Sequence, residues 1–142
     1  MSRPDAHLTF DGDCAEAMRF YERLLGGKLE MLMTYGQSPY AGQTPEAERD
    51  RVLHARLALP AGGLIMGCDT TSQHPYEGMK GFSLSLIYRT VAEARPVFEA
   101  LADGGKVGMP FAETFWAEAF GMVTDRFGTP WMINAGMQTQ AA

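Results

Sequence analysis

Two stretches of this chain repeat one pattern. Residues 13–31 open with Asp13-Cys14-Ala15-Glu16-Ala17, pass through Tyr21-Glu22-Arg23-Leu24 and close on Gly26-Gly27-Lys28. Residues 90–109 open with Thr90-Val91-Ala92-Glu93-Ala94, pass through Phe98-Glu99-Ala100-Leu101 and close on Gly104-Gly105-Lys106. The spacing is about half the chain and grows by one residue between the cap and the glycine pair. Such a period is too long for a solenoid repeat and points to two copies of one supersecondary unit.

Each copy reads as a capped helix. Asp13 and Thr90 are N-cap residues, and Glu16 and Glu93, three positions on, complete a capping box. Cys14, Met18, Tyr21 and Leu25 recur at helical spacing and form one apolar stripe. The glycine pair supplies the left-handed residue that ends the helix. Pro96 interrupts the second copy, because it cannot donate to the carbonyl of Ala92. A kink or a distorted first turn is expected there.

The strands around these helices follow by alternation and punctuation. His7–Phe10, Lys28–Tyr35, Arg51–Leu59 and Gly63–Cys68 are expected in the first copy. Phe82–Tyr88, Lys106–Pro110, Ala119–Thr124 and Trp131–Asn134 are expected in the second, with a turn at Asp125-Arg126-Phe127-Gly128. Each half therefore reads β-α-β-β-β. Residues 36–50 form a long polar connection of the sort that serves as a lid or a mobile segment. Residues 69–80 link repeat 1 (about 6–68) to repeat 2 (about 81–136), and the tail after Gly136 is expected to fray.

Side chains of a strand alternate between faces. Leu8, Phe10, Leu53, Leu57, Leu84 and Leu86 should pack under the helices, leaving His7, Thr9, His54, Arg56, Ser83 and Ser85 on the opposite face. That face is either half solvated or curled into a polar-lined pocket.

Composition narrows the function classes. A chain of 142 residues can fold as one compact domain. A formal charge of −5 argues against nucleic acid, which needs clustered Lys and Arg. No apolar run reaches the roughly 20 residues of a membrane span, and Met1-Ser2-Arg3-Pro4-Asp5 lacks the apolar core of a signal peptide. Two cysteines are too few for a disulfide framework. These features favour the cytoplasm. Cys14 stands at a helix N-terminus, where the dipole could lower a thiol pKa; the plainer reading is a small buried hydrophobe.

The run from Glu113 to Asn134 carries a family likeness. Glu113-Thr114-Phe115-Trp116, Phe120-Gly121, Thr124-Asp125-Arg126-Phe127-Gly128 and Trp131-Met132-Ile133-Asn134 stand in the order that resembles the PhnB-like branch of the vicinal oxygen chelate superfamily. This superfamily includes glyoxalase I, bleomycin-resistance proteins and extradiol dioxygenases. Phe10-Asp11-Gly12-Asp13, His54-Ala55 and Tyr76–Gly81 extend the likeness upstream. Some members of the branch carry a 3-demethylubiquinone methyltransferase label, but this chain shows no Gly-rich strand-to-helix loop for a nucleotide-like cofactor.

The resemblance implies an α+β fold in which two βαβββ modules form incomplete barrels around a cavity, with helices on the outer face. It also implies a divalent metal held by first- and last-strand side chains. Those positions fall on His7, on Phe82 or Ser83, near Met66 and on Met132. Thioethers are poor ligands for Zn, Mg or Mn, and a catalytic zinc needs about three protein ligands. The sequence therefore predicts no metal and no other cofactor, with His7 as the candidate ligand should one bind.

His54 and His7 are the candidate catalytic groups, each able to act as a base near neutral pH. Ser83, Ser85, Met66, Phe115, Trp116, Met132 and Arg56 are the candidate ligand-binding residues. Trp131 reads as core, and His74 as exposed. The leading expectation is a small organic molecule bound in a metal-free cavity. The alternatives are a metal-dependent lyase, transferase or dioxygenase using His7 and His54 with Glu113 or Glu118, and a metal-independent acid/base enzyme using His54. A homodimer is expected, since a partner would cover open sheet edges, with residues 36–50 or the Tyr76 segment at the cavity mouth.

Overall fold

The structure, a computed structural model, describes residues 2–137. The chain divides into two compact units, Met1–Gly78 and Met79–Ala142.

The first unit runs β1 (Ala6–Phe10), α1 (Cys14–Leu25), β2 (Lys28–Thr34), β3 (Val52–Ala58) and β4 (Leu64–Asp69). The second runs β5 (Leu84–Tyr88), α2 (Val91–Ala102), β6 (Lys106–Ala112), β7 (Ala117–Thr124) and β8 (Pro130–Met137). The sheets have the same order, β1-β4-β3-β2 and β5-β8-β7-β6. In each, the first strand lies parallel to the last and the other pairings are antiparallel. Neither sheet closes into a barrel. This is the expected βαβββ architecture, α+β, in both halves. Met137, the first residue of the expected frayed tail, belongs to β8; the rest of the tail lies outside the described residues.

One face of each sheet packs on its helix. In the first unit Leu8, Phe10, Ala55, Leu57 and Ile65 are buried with Cys14, Ala17, Met18 and Tyr21. In the second, Trp131, Ile133, Ala135 and Val123 are buried with Ala94, Val97, Phe98 and Leu101. Leu53 is the exception to the alternation. Register slips between Met33 and Thr34, so that Thr34 pairs with Val52 and Met33 with His54. Val52 takes the buried place, and Leu53 becomes the extra residue of a bulge.

The repeated glycine pair has a geometric cause. Gly26 ends α1 in the left-handed region at φ 73°, and its N–H donates to the carbonyl of Glu22. Gly104 takes φ 74° one residue later, after Asp103 caps α2. The second glycine of each pair lies against a carbonyl of the hairpin's next strand. A Cβ on Gly27 would sit 2.5 Å from the Ala58 oxygen, and one on Gly105 would collide with the Thr124 oxygen. Ala58 and Thr124 close their strands at the same register step, opposite Leu64 and Pro130.

The caps differ between copies. Thr90 accepts from the Glu93 amide at 3.1 Å and donates to the Glu93 carboxylate at 3.2 Å. Asp13 makes no side-chain cap bond. The amides at the start of α1 go instead to Asp69, at the end of β4, whose Oδ1 accepts from Gly12 N at 2.8 Å and Cys14 N at 3.0 Å. Its Oδ2 accepts from Val52 N at 2.9 Å. Pro96 sits on the exposed side of α2, and the helix runs unbroken from Val91 to Ala102.

Candidate functional site

The helix-free face of each sheet carries most of the sequence-predicted site residues, and strand register sets them in rows. In the first unit Met31 pairs with Arg56, Arg56 with Met66 and Met66 with His7. In the second, Met109 pairs with Met122, Met122 with Met132 and Met132 with Ser85. Directly paired residues share a face, so each row crosses all four strands. Met66 and Met132 hold equivalent places, as the sequence suggested. The residue equivalent to His7 is Ser85, opposite Met132. Ser83 precedes β5 and pairs with no strand residue there, so the assignment of His7's counterpart to Phe82 or Ser83 is corrected to Ser85.

A second row lies alongside. Met33 pairs with His54, and Thr9 with Cys68. In the other unit Ala112 pairs with Phe120, Phe120 with Asn134 and Asn134 with Ile87. The Trp116 indole N–H donates to Asn134 Oδ1 at 3.2 Å, and the Trp116 ring meets Phe120 edge-on with centroids 5.1 Å apart. Trp116 thus stands on the helix-free face and is held there. Phe115, edge-on to Trp116, is 81% exposed. Trp131 is core, with its N–H donated to Asp125 at 2.9 Å.

His7 and His54 come together. Their rings stack with centroids 6.4 Å apart and planes 23° from parallel. Partial burial and the neighbouring His54 lower the pKa of His7, against a smaller opposing effect of its backbone hydrogen bonding. With its pKa lowered chiefly by burial, His7 favours the neutral form near pH 7. The sign for stability follows: a depressed folded pKa makes His7 destabilising as pH falls from about 6.5 through that folded value, and neutral to stability above it. In a proton-NMR titration the His7 pKa should rise in His54→Gln. An unchanged value would remove His54 as a cause. Arg56 Nε donates to Glu30 at 3.1 Å in an exposed ion pair.

The His face runs into a cleft of about 530 Å³ at the end of β4, through Thr9 and Cys68, which line both. Tyr35, Thr70, His74 and Tyr76 complete much of the wall. None of the sequence-predicted site residues lines this cleft. His74 is exposed, as expected, yet belongs to it. No local pattern marks Tyr35, Thr70 or Cys68; of the two segments expected at a cavity mouth, residues 36–50 or the Tyr76 segment, Tyr76 lines this cleft. Cys68 has its thiol pKa raised by burial, partly countered by a hydrogen bond with Thr9. Cys14 is fully buried and its thiol is pushed well above the ordinary range, chiefly by burial and next by Asp69. It is core, not a nucleophile.

Among the described residues, the side chains within each unit fall short of a donor set for a chelated divalent ion. Among the described residues no three His, Cys, Asp or Glu side chains stand together as a metal cluster. His7 and His54 form a pair, and the next residues in their rows are Met66 and Met33. Among the described residues no helix is long and apolar enough to cross a membrane.

Comparison with known proteins agrees with this architecture. Residues 5–133 match the model of the glyoxalase/bleomycin resistance protein/dioxygenase superfamily. The chain is 37% identical to protein YjdN of Escherichia coli (strain K12), over 93% of this chain and 94% of that one. Among solved structures, protein PA1353 from Pseudomonas aeruginosa is 43% identical with a TM-score of 0.88, covering 97% of this chain and all (100%) of its own. A PhnB protein from Bacillus cereus, provisionally described as a 3-demethylubiquinone-9 3-methyltransferase, is 25% identical with a TM-score of 0.79, covering 94% and 99%. On the strength of the repeated βαβββ unit, the family match and these relatives, the chain belongs to the glyoxalase/bleomycin resistance protein/dioxygenase superfamily, among its PhnB-like members.

Proposed function

We propose that this protein binds a small organic molecule on the helix-free faces of its sheets, without a chelated metal ion. One observation carries the reading. Met66 and Met132 hold equivalent places in the two rows, opposite His7 and Ser85, where the family resemblance puts metal-ligating carboxylates. A thioether is a poor ligand for hard divalent ions but a good apolar contact for an organic guest. Trp116 and Phe120 add flat aromatic surface beside Met132.

The test combines metal analysis with ligand titration. Protein purified without chelator should hold far less than one divalent ion per chain. With methionine methyls labelled, a panel of small aromatic and carboxylic compounds should give saturable shifts at Met66 or Met132. One tightly held ion per chain, or a panel that leaves both methyls in place, would sink the proposal. The strands at the sheet edges, β1 and β2, β5 and β6, are where a second copy would dock, and light scattering reads the homodimer this implies.

A second reading is metal-independent proton transfer. The stacked imidazoles favour it, because His54 stands beside a second imidazole, His7, with which a proton can be exchanged. Any compound of the panel that is converted should cease to be converted by His54→Gln while still shifting the Met66 methyl.

A further inference from the structure

Four side chains on the helix-free face of the first sheet form a group of one chemical character. His7 pairs with Met66, and His54 with Met33. Direct partners across a ladder share a face, with Cβ atoms about 4.5–5.5 Å apart. Each imidazole therefore has a thioether beside it. The contact between the His7 and His54 rings joins the two pairs, so that β1, β4, β3 and β2 each contribute one member. None of the four is buried in the core: His7 is exposed, and His54, Met33 and Met66 are half-buried.

The distance between the rings suits a shared ion. A metal–imidazole bond is about 2.0 Å and a ring nitrogen lies about 1.1 Å from the ring centre, so two rings holding one ion in line stand about 6.2 Å apart, centre to centre. The His7 and His54 centroids are 6.4 Å apart. The last torsion of a histidine is broad, so each ring can turn a nitrogen inward without moving its strand.

The donors decide which ion. Hard divalent ions need carboxylates or a third imidazole, and among the described residues neither joins this pair. Thioethers are soft and select monovalent copper, which imidazole also binds. A closed-shell monovalent ion is content with few ligands, and no carboxylate is required. The charged neighbour in these rows is Arg56, the other ladder partner of Met66, and Glu30 balances it at 3.1 Å. Cys68 follows Met66 by two residues on the same face, but its thiol is engaged with Thr9 and is not needed for the set.

We infer that His7, His54, Met66 and Met33 form a binding site for a soft monovalent metal ion, copper in its reduced state. This goes beyond the reading of the sheet faces as surfaces for an organic guest. The ion is an alternative occupant of one face, that of the first unit, and competes with a guest for Met66.

The test uses the full chain with methionine methyls labelled and carrying Cys68→Ser, so that no accessible thiol binds the metal; Cys14 is fully buried. Silver nitrate serves as a soft monovalent probe that does not change oxidation state in air. It should shift the Met33 and Met66 methyls and the His7 and His54 ring protons together, reaching saturation at one ion per chain. Zinc chloride should leave both methyls in place. Reduced copper, added without oxygen against a coloured chelator, should bind at the same stoichiometry. Met66→Leu and His54→Gln, both at half-buried positions and so expected to fold, should each weaken binding at least tenfold. His74→Gln, which removes the third histidine, should not weaken it. The proposal is overturned if silver leaves the two methyls in place, if Met66→Leu and His54→Gln bind it as tightly as the parent, or if zinc shifts the same methyls. It is also overturned if only the chain that retains Cys68 binds silver, which would make the thiol the ligand. An organic panel that shifts no methyl sinks the earlier reading and leaves the silver result standing; absence of silver binding leaves the panel to be read on its own.

Discussion

Asp69→Ala should cost about 4 kcal/mol of unfolding free energy, the sum of a lost helix cap and newly orphaned amides. Asp69 is 2% exposed and accepts three backbone N–H groups, from Gly12, Cys14 and Val52. It therefore ties together the entry to α1, the start of β3 and the end of β4. Its charge also lies at the positive end of the α1 dipole. Alanine leaves these amides without their acceptor inside the first unit. For a domain of this size the loss corresponds to a fall of about 15 °C in Tm. Asp69→Asn keeps a single acceptor oxygen and should lose roughly half as much. Urea melts of the three proteins measure this directly, and an alanine variant within about 1 kcal/mol of the parent would show that the cap is dispensable.

Asp125→Ala should be nearly as damaging, at about 3–4 kcal/mol. Asp125 is 3% exposed and organises the β7–β8 turn by accepting from Phe127 N at 2.9 Å and Thr129 N at 3.0 Å. Its other oxygen accepts the indole N–H of Trp131, the largest fully buried side chain among the described residues. The alanine variant orphans that N–H in the core. In a Trp131→Phe background, where no indole remains to orphan, the cost of Asp125→Ala should shrink by about 1 kcal/mol. A cycle with no coupling would mean that the turn amides alone set the effect.

The two aspartates also show where sequence reading reaches and where it stops. The helices, the sheet pattern and the faces of His7, His54, Arg56, Met66 and Met132 were legible, because each depends on local periodicity. Thr90 was legible as a cap for the same reason. Asp13 does not cap α1 with its side chain as expected, because Asp69 supplies the acceptor, and no short-range pattern encodes a partner that distant. Leu53 was placed under the helix by strict alternation; a one-residue bulge moved it. Ser83 and Ser85 could be told apart only by register against β8. The cleft through Thr9, Tyr35 and Cys68 escaped because its walls belong to separate segments that meet only when β4 pairs with β1.

The two methionine rows have a further consequence. Met31, Met66, Met109, Met122 and Met132 present unbranched, polarisable chains with three rotatable bonds each. A lining of that kind moulds itself to its guest instead of rejecting misfits, so shape is a weak filter on these surfaces. Under the binding proposed above, discrimination between guests falls to the polar groups nearby, the imidazole pair in one unit and the Asn134 amide that accepts from Trp116 in the other. The same side chains are open to peroxide: sulfoxide formation would turn a greasy, yielding wall into a polar one and weaken the binding proposed above.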